Sequence, residues 1–153
     1  MQYPDKTDLQ ILRKLQDNGR LSNADLAQEL GLSAATCHRR TQKLMSTGHL
    51  KDVRGIVDPQ KVDLGTLVII GIVLDSSAQE NLDRFEAAAR DIPGLVDCHF
   101  VAGDMDYFLK LRVKDMAEFE SLHGKRLSVL PGVRLTRTFF VLREVLDNGP
   151  LSF

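Results

Sequence analysis

In the stretch ADLAQELGLSAATCHRRTQKL, residues 24–44, one glycine separates two short runs of helix formers, and this spacing constrains the fold more than any other feature of the chain. Ser22 and Ser33 stand where helix N-caps are wanted, and Gly31 stands where a left-handed C-terminal residue ends a helix. The inner face of the first run is Leu26, Ala27 and Leu30; the second run extends to about Thr47, just before Gly48. Upstream, Leu9, Ile11, Leu12 and Leu15 recur at helical spacing, with Asp5 or Thr7 able to cap the start and Asn18-Gly19 closing the end. Three short helices with one tight glycine turn predict a helix-turn-helix, whose third helix is free to enter the major groove of DNA.

Helical geometry sorts that third helix into faces. Cys37, Leu44 and Thr41 fall inward, while Ala34, Ala35, His38, Arg39 and Gln42 fall outward, with Ser33 and Thr36 near the N-terminal end. Small residues permit close approach to base edges, Arg39 can donate two hydrogen bonds to guanine, and Gln42 suits adenine or a phosphate. Lys43, with Lys51 or Arg54, would supply contacts to phosphate that carry no sequence information. The same face also fits a merely solvated helix surface; the capped helix pair favours DNA. Arg40 sits nearer the packed side and is expected to form a structural ion pair with Asp8 or Asp25.

A net charge of −1 over 153 residues argues little for a polyanion partner until the chain is divided. Residues 1–62 hold ten basic and seven acidic side chains, a balance of +3; residues 63–153 hold ten and fourteen, a balance of −4. The helical part is the basic one. No apolar run reaches the roughly 18 to 20 residues of a membrane span, and the opening MQYPDKTDLQ lacks the hydrophobic region of a signal peptide, so no membrane partner is expected and the protein should be cytoplasmic. Cys37 and Cys98 form neither a disulfide framework nor a metal motif.

After Gly48, Leu50, Val53, Ile56 and Val57 around Gly55 predict a short strand or wing, broken by Asp58-Pro59. The pattern then changes. Residues 67–74, LVIIGIVL, read as an apolar strand; residues 78–91 as an amphipathic helix through Leu82, Phe85, Ala88 and Ala89; LVDCHFVA and YFLKLRV as two strands joined by GDMD; residues 115–127 as a helix; and RLTRTFFVLREV as a last strand. The order βαββαβ is ferredoxin-like: an antiparallel sheet with two helices on one face. The chain is therefore expected to be α+β, with a winged helix-turn-helix domain and linker at 1–62 and a ferredoxin-like domain at 63–153. Its first strand is apolar on both sides, and Phe139, Phe140, Val141 and Leu142 repeat this in the last. The uncovered sheet face should meet a second copy, giving a homodimer whose two recognition helices fit an approximately palindromic site.

Together these segments resemble the Lrp/AsnC (feast/famine) family of transcriptional regulators. The resemblance rests on DLQILRKLQDNGRLSNADLAQELGLS followed by CHRRTQKLMSTGHL, on DPQKVDLG at the junction, and on GDMDYFLKLRV and LPGVRLTRTFFVL in the second domain (the RAM-type domain of that family). It implies a DNA-binding regulator responding to an amino acid or related metabolite, and dimers that assemble into tetramers or octamers. Where many members carry proline at the start of the recognition helix, this chain has Ala34, Ala35 and Thr36.

The turn GDMD offers acidic side chains for an ammonium group and backbone amides for a carboxylate. The resemblance places an effector between subunits near this turn and the segment before the last strand, nominating Gly103, Asp104, Asp106, Tyr107, Thr136 and Thr138. The same glycine and aspartates also serve as ordinary hairpin residues. No metal, cofactor or catalytic group is expected: the histidines at 38, 49, 99 and 123 lack ligand spacing, Cys98 and His99 point to opposite faces of a strand, and no phosphate loop or nucleophile elbow is present. Two other readings remain: an architectural DNA-binding protein with little sequence preference, and a small metabolite-binding module or enzyme built on the second domain.

Overall fold

The computed structural model describes residues 3–153, in two compact units: the chain up to Ile56 together with Leu146–Phe153, and Val57–Val145. The first unit holds three helices, α1 (Lys6–Asp17), α2 (Asn23–Leu30) and α3 (Ala34–Ser46). Their ends follow from local chemistry. Asp5 and Asp8 form a capping box on α1, Ser22 and Asp25 form another on α2, and the Ser33 side chain accepts from the Thr36 amide at α3. Gly31 closes α2 at φ 65°, which an L side chain adopts only with strain. Ile11, Leu26, Ala27, Cys37 and Leu44 form the buried core, flanked by Leu12, Leu15, Leu21, Leu30, Leu32 and Leu50.

The strand or wing expected across residues 50–57 is absent: Lys51–Asp58 runs as irregular chain with Ile56 and Val57 largely exposed. A strand must exchange hydrogen bonds with a partner strand, and the described residues of this unit include none. Val53 instead lies against Gly19. Leu146–Phe153 clusters with the helices although it follows the sheet in sequence. Gln16 holds it by a reciprocal pair, Nε2 donating to the Leu151 carbonyl at 2.9 Å and Oε1 accepting from the Leu151 amide at 3.0 Å. Arg13 donates to the Phe153 carbonyl through Nε at 2.7 Å and also through Nη2, with its guanidinium 5.5 Å from the Phe153 ring centre.

The second unit is β1 (Thr66–Leu74), α4 (Gln79–Arg90), β2 (Leu95–Phe100), β3 (Tyr107–Val113), α5 (Met116–Lys125) and β4 (Val133–Phe140). All pairings are antiparallel and the strand order is β2-β3-β1-β4, the expected ferredoxin-like arrangement. Strand alternation separates the two faces. Val68, Ile70, Ile72 and Leu74 of β1 and Tyr107, Leu109, Leu111 and Val113 of β3 pack with Leu82, Phe85 and Ala89 of α4 and Phe119 and Leu122 of α5. The other face carries Leu67, Ile69, Gly71 and Val73, opposite Phe108, Lys110 and Arg112 on one side and Leu135, Arg137 and Phe139 on the other.

Register divides β4 more sharply than its composition does. Phe140 pairs with Val68 and meets Phe119 edge-on at 5.1 Å, so it belongs to the helix-covered face; Phe139, paired with Ile69, lies on the open one. The strand ends at Phe140, and Leu142 is almost fully exposed. Among the described residues no helix is long and apolar enough to cross a membrane, and no group of three His, Cys, Asp or Glu residues could hold a metal ion.

Candidate functional sites

The recognition helix presents the outward face its periodicity implies. Ala34, Ala35, His38, Arg39, Gln42 and Lys43 are exposed, Thr36 is half-buried, and Cys37 and Leu44 point into the core. Not all of these side chains are equally free. The Ser33 hydroxyl is held within hydrogen-bond distance of the Thr36 hydroxyl, at 2.8 Å, so both work first as a cap. His38 Nδ1 lies 3.3 Å from Asn23 Nδ2 at the start of α2. Arg39 and Gln42 make no hydrogen bond or ion pair among the described residues, which leaves their donors available to a ligand. Lys43 lies one residue further round and lines a cleft of about 260 Å³ with Tyr3, Thr47 and His49.

Arg40 fixes how this helix sits. Its Nη1 reaches Asp5 Oδ2 and Asp8 Oδ1, each at 2.7 Å, bridging the N-terminal cap of α1 to the middle of α3. Of the two expected partners, Asp8 takes the contact and Asp25 is occupied by the α2 capping box. The carboxyl of Asp5 is held below its usual range, first by the Asp8 amide and then by the Arg40 guanidinium, while the guanidinium is held the more firmly protonated by the hydrogen bonds it donates to both carboxylates. Lys14 pairs with Glu29 at 2.8 Å and joins α1 to α2. These polar ties set the angle at which Arg39 and Gln42 leave the surface.

A second candidate site lies on the sheet unit, a cleft of about 310 Å³ beside the GDMD turn. It is lined by Val101, Ala102, Gly103, Asp104 and Met105 of the turn, Phe108 of β3, and Arg137 and Phe139 of β4. Asp104 is exposed, and the amides of Ala102, Gly103 and Asp104 donate to no backbone acceptor among the described residues. One wall is apolar. The opposite charges of Asp104 and Arg137 stand on the rim of a single hollow.

The structure brings only Gly103 and Asp104 of the nominated effector residues to this cleft. Asp106 is spent on the fold: its amide donates to the Ile72 carbonyl at 2.8 Å, and its Oδ2 accepts from the Leu74 amide at 2.7 Å, which pins the turn to β1. Tyr107 is buried, its ring packed at a tilt against Phe85 and Phe100, with its hydroxyl donating to Glu86 Oε1 at 2.8 Å. Burial and that carboxylate push its ionisation well above the usual tyrosine value. Thr136 and Thr138 pair with Ile72 and Ile70 and so face the helix layer, away from the turn. Arg137, between them, takes the position they were expected to fill. Its identity was readable only once the register of β4 was known, because a shift of one residue exchanges the faces.

The sequence matches two family descriptions: "AsnC-type helix-turn-helix domain" over residues 5–45 and "Lrp/AsnC ligand binding domain" over residues 67–151. It is 41% identical over 145 residues, 95% of this chain and 87% of the other, to the leucine-responsive regulatory protein of Haemophilus influenzae. The protein of the same description from Escherichia coli is 37% identical over 147 residues, with 96% and 90% of the two chains covered. Two solved structures superpose at a TM-score of 0.90. One is a transcriptional regulator from Neisseria meningitidis in complex with L-Met, 31% identical and covering 98% of this chain and 97% of its own; the other is an AsnC family transcriptional regulator from Agrobacterium tumefaciens, 30% identical and covering 97% of each. With a matching domain on each unit and relatives spanning nearly its whole length, this chain belongs to the Lrp/AsnC family of DNA-binding, amino-acid-binding transcriptional regulators, which are not enzymes.

Proposed function

We propose that the protein is a cytoplasmic, sequence-specific regulator that reads DNA with α3 and takes an α-amino acid with an apolar side chain in the cleft beside the GDMD turn. Residues 1–62 form the DNA-binding part, and the sheet that follows forms the effector-binding and oligomerisation part. In the major groove, Arg39 and Gln42 reach base edges, with His38 and the small N-terminal turn of Ser33 to Thr36 close to the backbone; Lys43 contacts phosphate. The open sheet face, with Ile69, Phe108 and Phe139, covers itself against a second copy, and the dimer assembles further into tetramers or octamers.

One observation carries the effector reading: Asp104 and Arg137 stand at one hollow whose apolar wall includes Met105, Phe108 and Phe139. A carboxylate for the ammonium group, a guanidinium for the carboxylate and an apolar wall for the side chain together complement a zwitterionic apolar amino acid. The relatives described as leucine-responsive and the Neisseria regulator holding L-Met agree in class. Asp106 and Tyr107 act behind the site by holding the turn. A ligand that prefers one assembly must by linkage favour it, and so changes how the protein holds DNA.

Calorimetry with leucine and methionine on the wild type, Asp104→Ala and Arg137→Ala tests the effector site; undiminished binding in both variants rejects it. For DNA, Arg39→Ala should cost about 1 to 3 kcal/mol on a selected site, whereas Lys43→Ala should weaken all sequences alike and lower the salt slope by about one. Wild-type affinity of Arg39→Ala for that site would remove α3 from base reading.

A further inference from the structure

Gly71 stands in the middle of β1, flanked by Ile70 and Ile72 in a run otherwise suited to β-branched side chains. A glycine there weakens a strand unless something must approach closely. Its φ is not in the left-handed region, so the backbone would accept any residue; space is what requires the glycine. A Cβ at this position would lie 3.0 Å from Met105 Sδ, 3.2 Å from Met105 Cγ and 3.3 Å from Phe108 Cε1. Across the sheet Gly71 pairs with Phe108 on one side and Arg137 on the other, so the three share a row on the open face. Met105, Phe108 and Arg137 all line the cleft beside the turn.

We infer that Gly71 and Met105 together set the length of side chain the effector cleft accepts, with the buried Met105 as a floor that lies low only because position 71 has no side chain. This rests on the reading that the cleft takes an amino acid by Asp104 and Arg137. Methionine is unbranched and adjustable, so it is the group that yields when the floor is crowded. A methyl at position 71 lifts the thioether into the hollow and takes away space of roughly one methylene. In an apolar pocket a methylene is worth about 10- to 200-fold in affinity. Shortening Met105 does the reverse. The ligand class is that of the proposed function, an α-amino acid with an apolar side chain, and the discrimination is made on the length of that side chain where it meets the Met105 floor.

The test is calorimetry on the full chain with alanine, 2-aminobutyrate, norvaline, methionine, leucine and phenylalanine. Wild-type affinity should rise along the series to methionine and leucine. Gly71→Ala should lose at least about tenfold for these two while binding alanine as before, and Met105→Ala, which crowds nothing, should shift preference the other way, toward phenylalanine. Shifts in the same direction, or in neither variant, overturn the assignment even if Arg137→Ala abolishes all binding, which would leave the site itself standing. Wild-type affinities in Arg137→Ala, or a wild type that binds none of the series, overturn both.

Discussion

Replacing Arg40 by methionine should open the helical unit far more often without changing its shape. Methionine keeps most of the apolar stem and removes the guanidinium that spans α1 and α3. Asp8, whose side chain is only 7% exposed, then keeps among the described residues a single long contact, from the Asp5 amide at 3.3 Å. Breaking one partner out of a buried pair costs roughly 3 to 5 kcal/mol because the remaining charge is stranded. Here Arg40 is 24% exposed and Asp5 faces solvent, so water replaces part of the loss. A cost of about 2 to 3 kcal/mol follows. Cys37, fully buried in the same core, reports it: in a Cys98→Ser background, alkylation of Cys37 requires the unit to open. The labelling rate should rise roughly 30- to 150-fold, at tenfold per 1.36 kcal/mol. The acid side of the profile is a second arm. A carboxyl lowered in the fold contributes stability that is present above its ordinary value, 3.8 for Asp5, and is lost as pH falls through the lowered one. Wild-type labelling, taken as a ratio to the rate of the unfolded chain at the same pH so that the falling thiolate fraction cancels, should therefore rise below about pH 4, and less so in Arg40→Met, where Asp5 is no longer paired. Wild-type labelling rates in Arg40→Met at neutral pH would refute the argument.

Phe139→Asp should abolish the proposed self-association while leaving the fold intact, since the side chain lies on the open face and is half exposed in the single chain; Ile70→Asp should unfold the sheet unit instead, because Ile70 is fully buried beneath the helices. Sedimentation with circular dichroism separates the two outcomes, and a folded Ile70→Asp or an unaffected Phe139→Asp assembly would contradict the facing. Tyr107 makes the sheet unit sensitive to alkali: its ionisation is raised in the fold, so its stabilisation is complete below its ordinary value of 10.0 and falls as pH climbs above it. Melting temperatures measured from about pH 9 to 11 should drop for the wild type and drop less for Tyr107→Phe, in which the Cys98 thiol, also raised, still titrates; the substitution should cost about 1 kcal/mol at neutral pH through the lost Glu86 hydrogen bond.

The helical unit was legible in sequence because its boundaries are local events. Ser22, Gly31 and Ser33 settle where helices begin and end through contacts no more than a few residues away, and the apolar spacing of Leu26, Cys37 and Leu44 places their inner faces. The order of elements in the sheet unit was equally plain. Its facing was not. Phe139 and Phe140 are adjacent and alike in composition, as are Thr136, Arg137 and Thr138 in their fitness for a ligand; only the pairing of Val68 with Phe140 decides which of them meets solvent. The cleft beside the turn therefore takes Arg137 from β4, where the family resemblance pointed to Thr136 and Thr138. Arg40 was expected to pair, but Asp5 as its second partner was hidden by its role as a cap. Leu146–Phe153 has no periodicity to read, and its docking on α1 depends on one glutamine and one arginine 135 or more positions away.

The strand order β2-β3-β1-β4 has a consequence for the chain as it leaves the ribosome. β1 is central, and its two edges are claimed by β3 and β4, the second of which begins nearly sixty residues later, at Val133. The helical unit can close on its own short-range contacts long before that. In the interval LVIIGIVL is exposed as an apolar strand with unsatisfied amides and no charge to repel a neighbour, on every nascent chain of a polysome at once. Chaperones that bind extended apolar segments should therefore find their main target in residues 67–74, and crowding of nascent chains should harm this protein through the sheet well before it harms the helices that touch DNA.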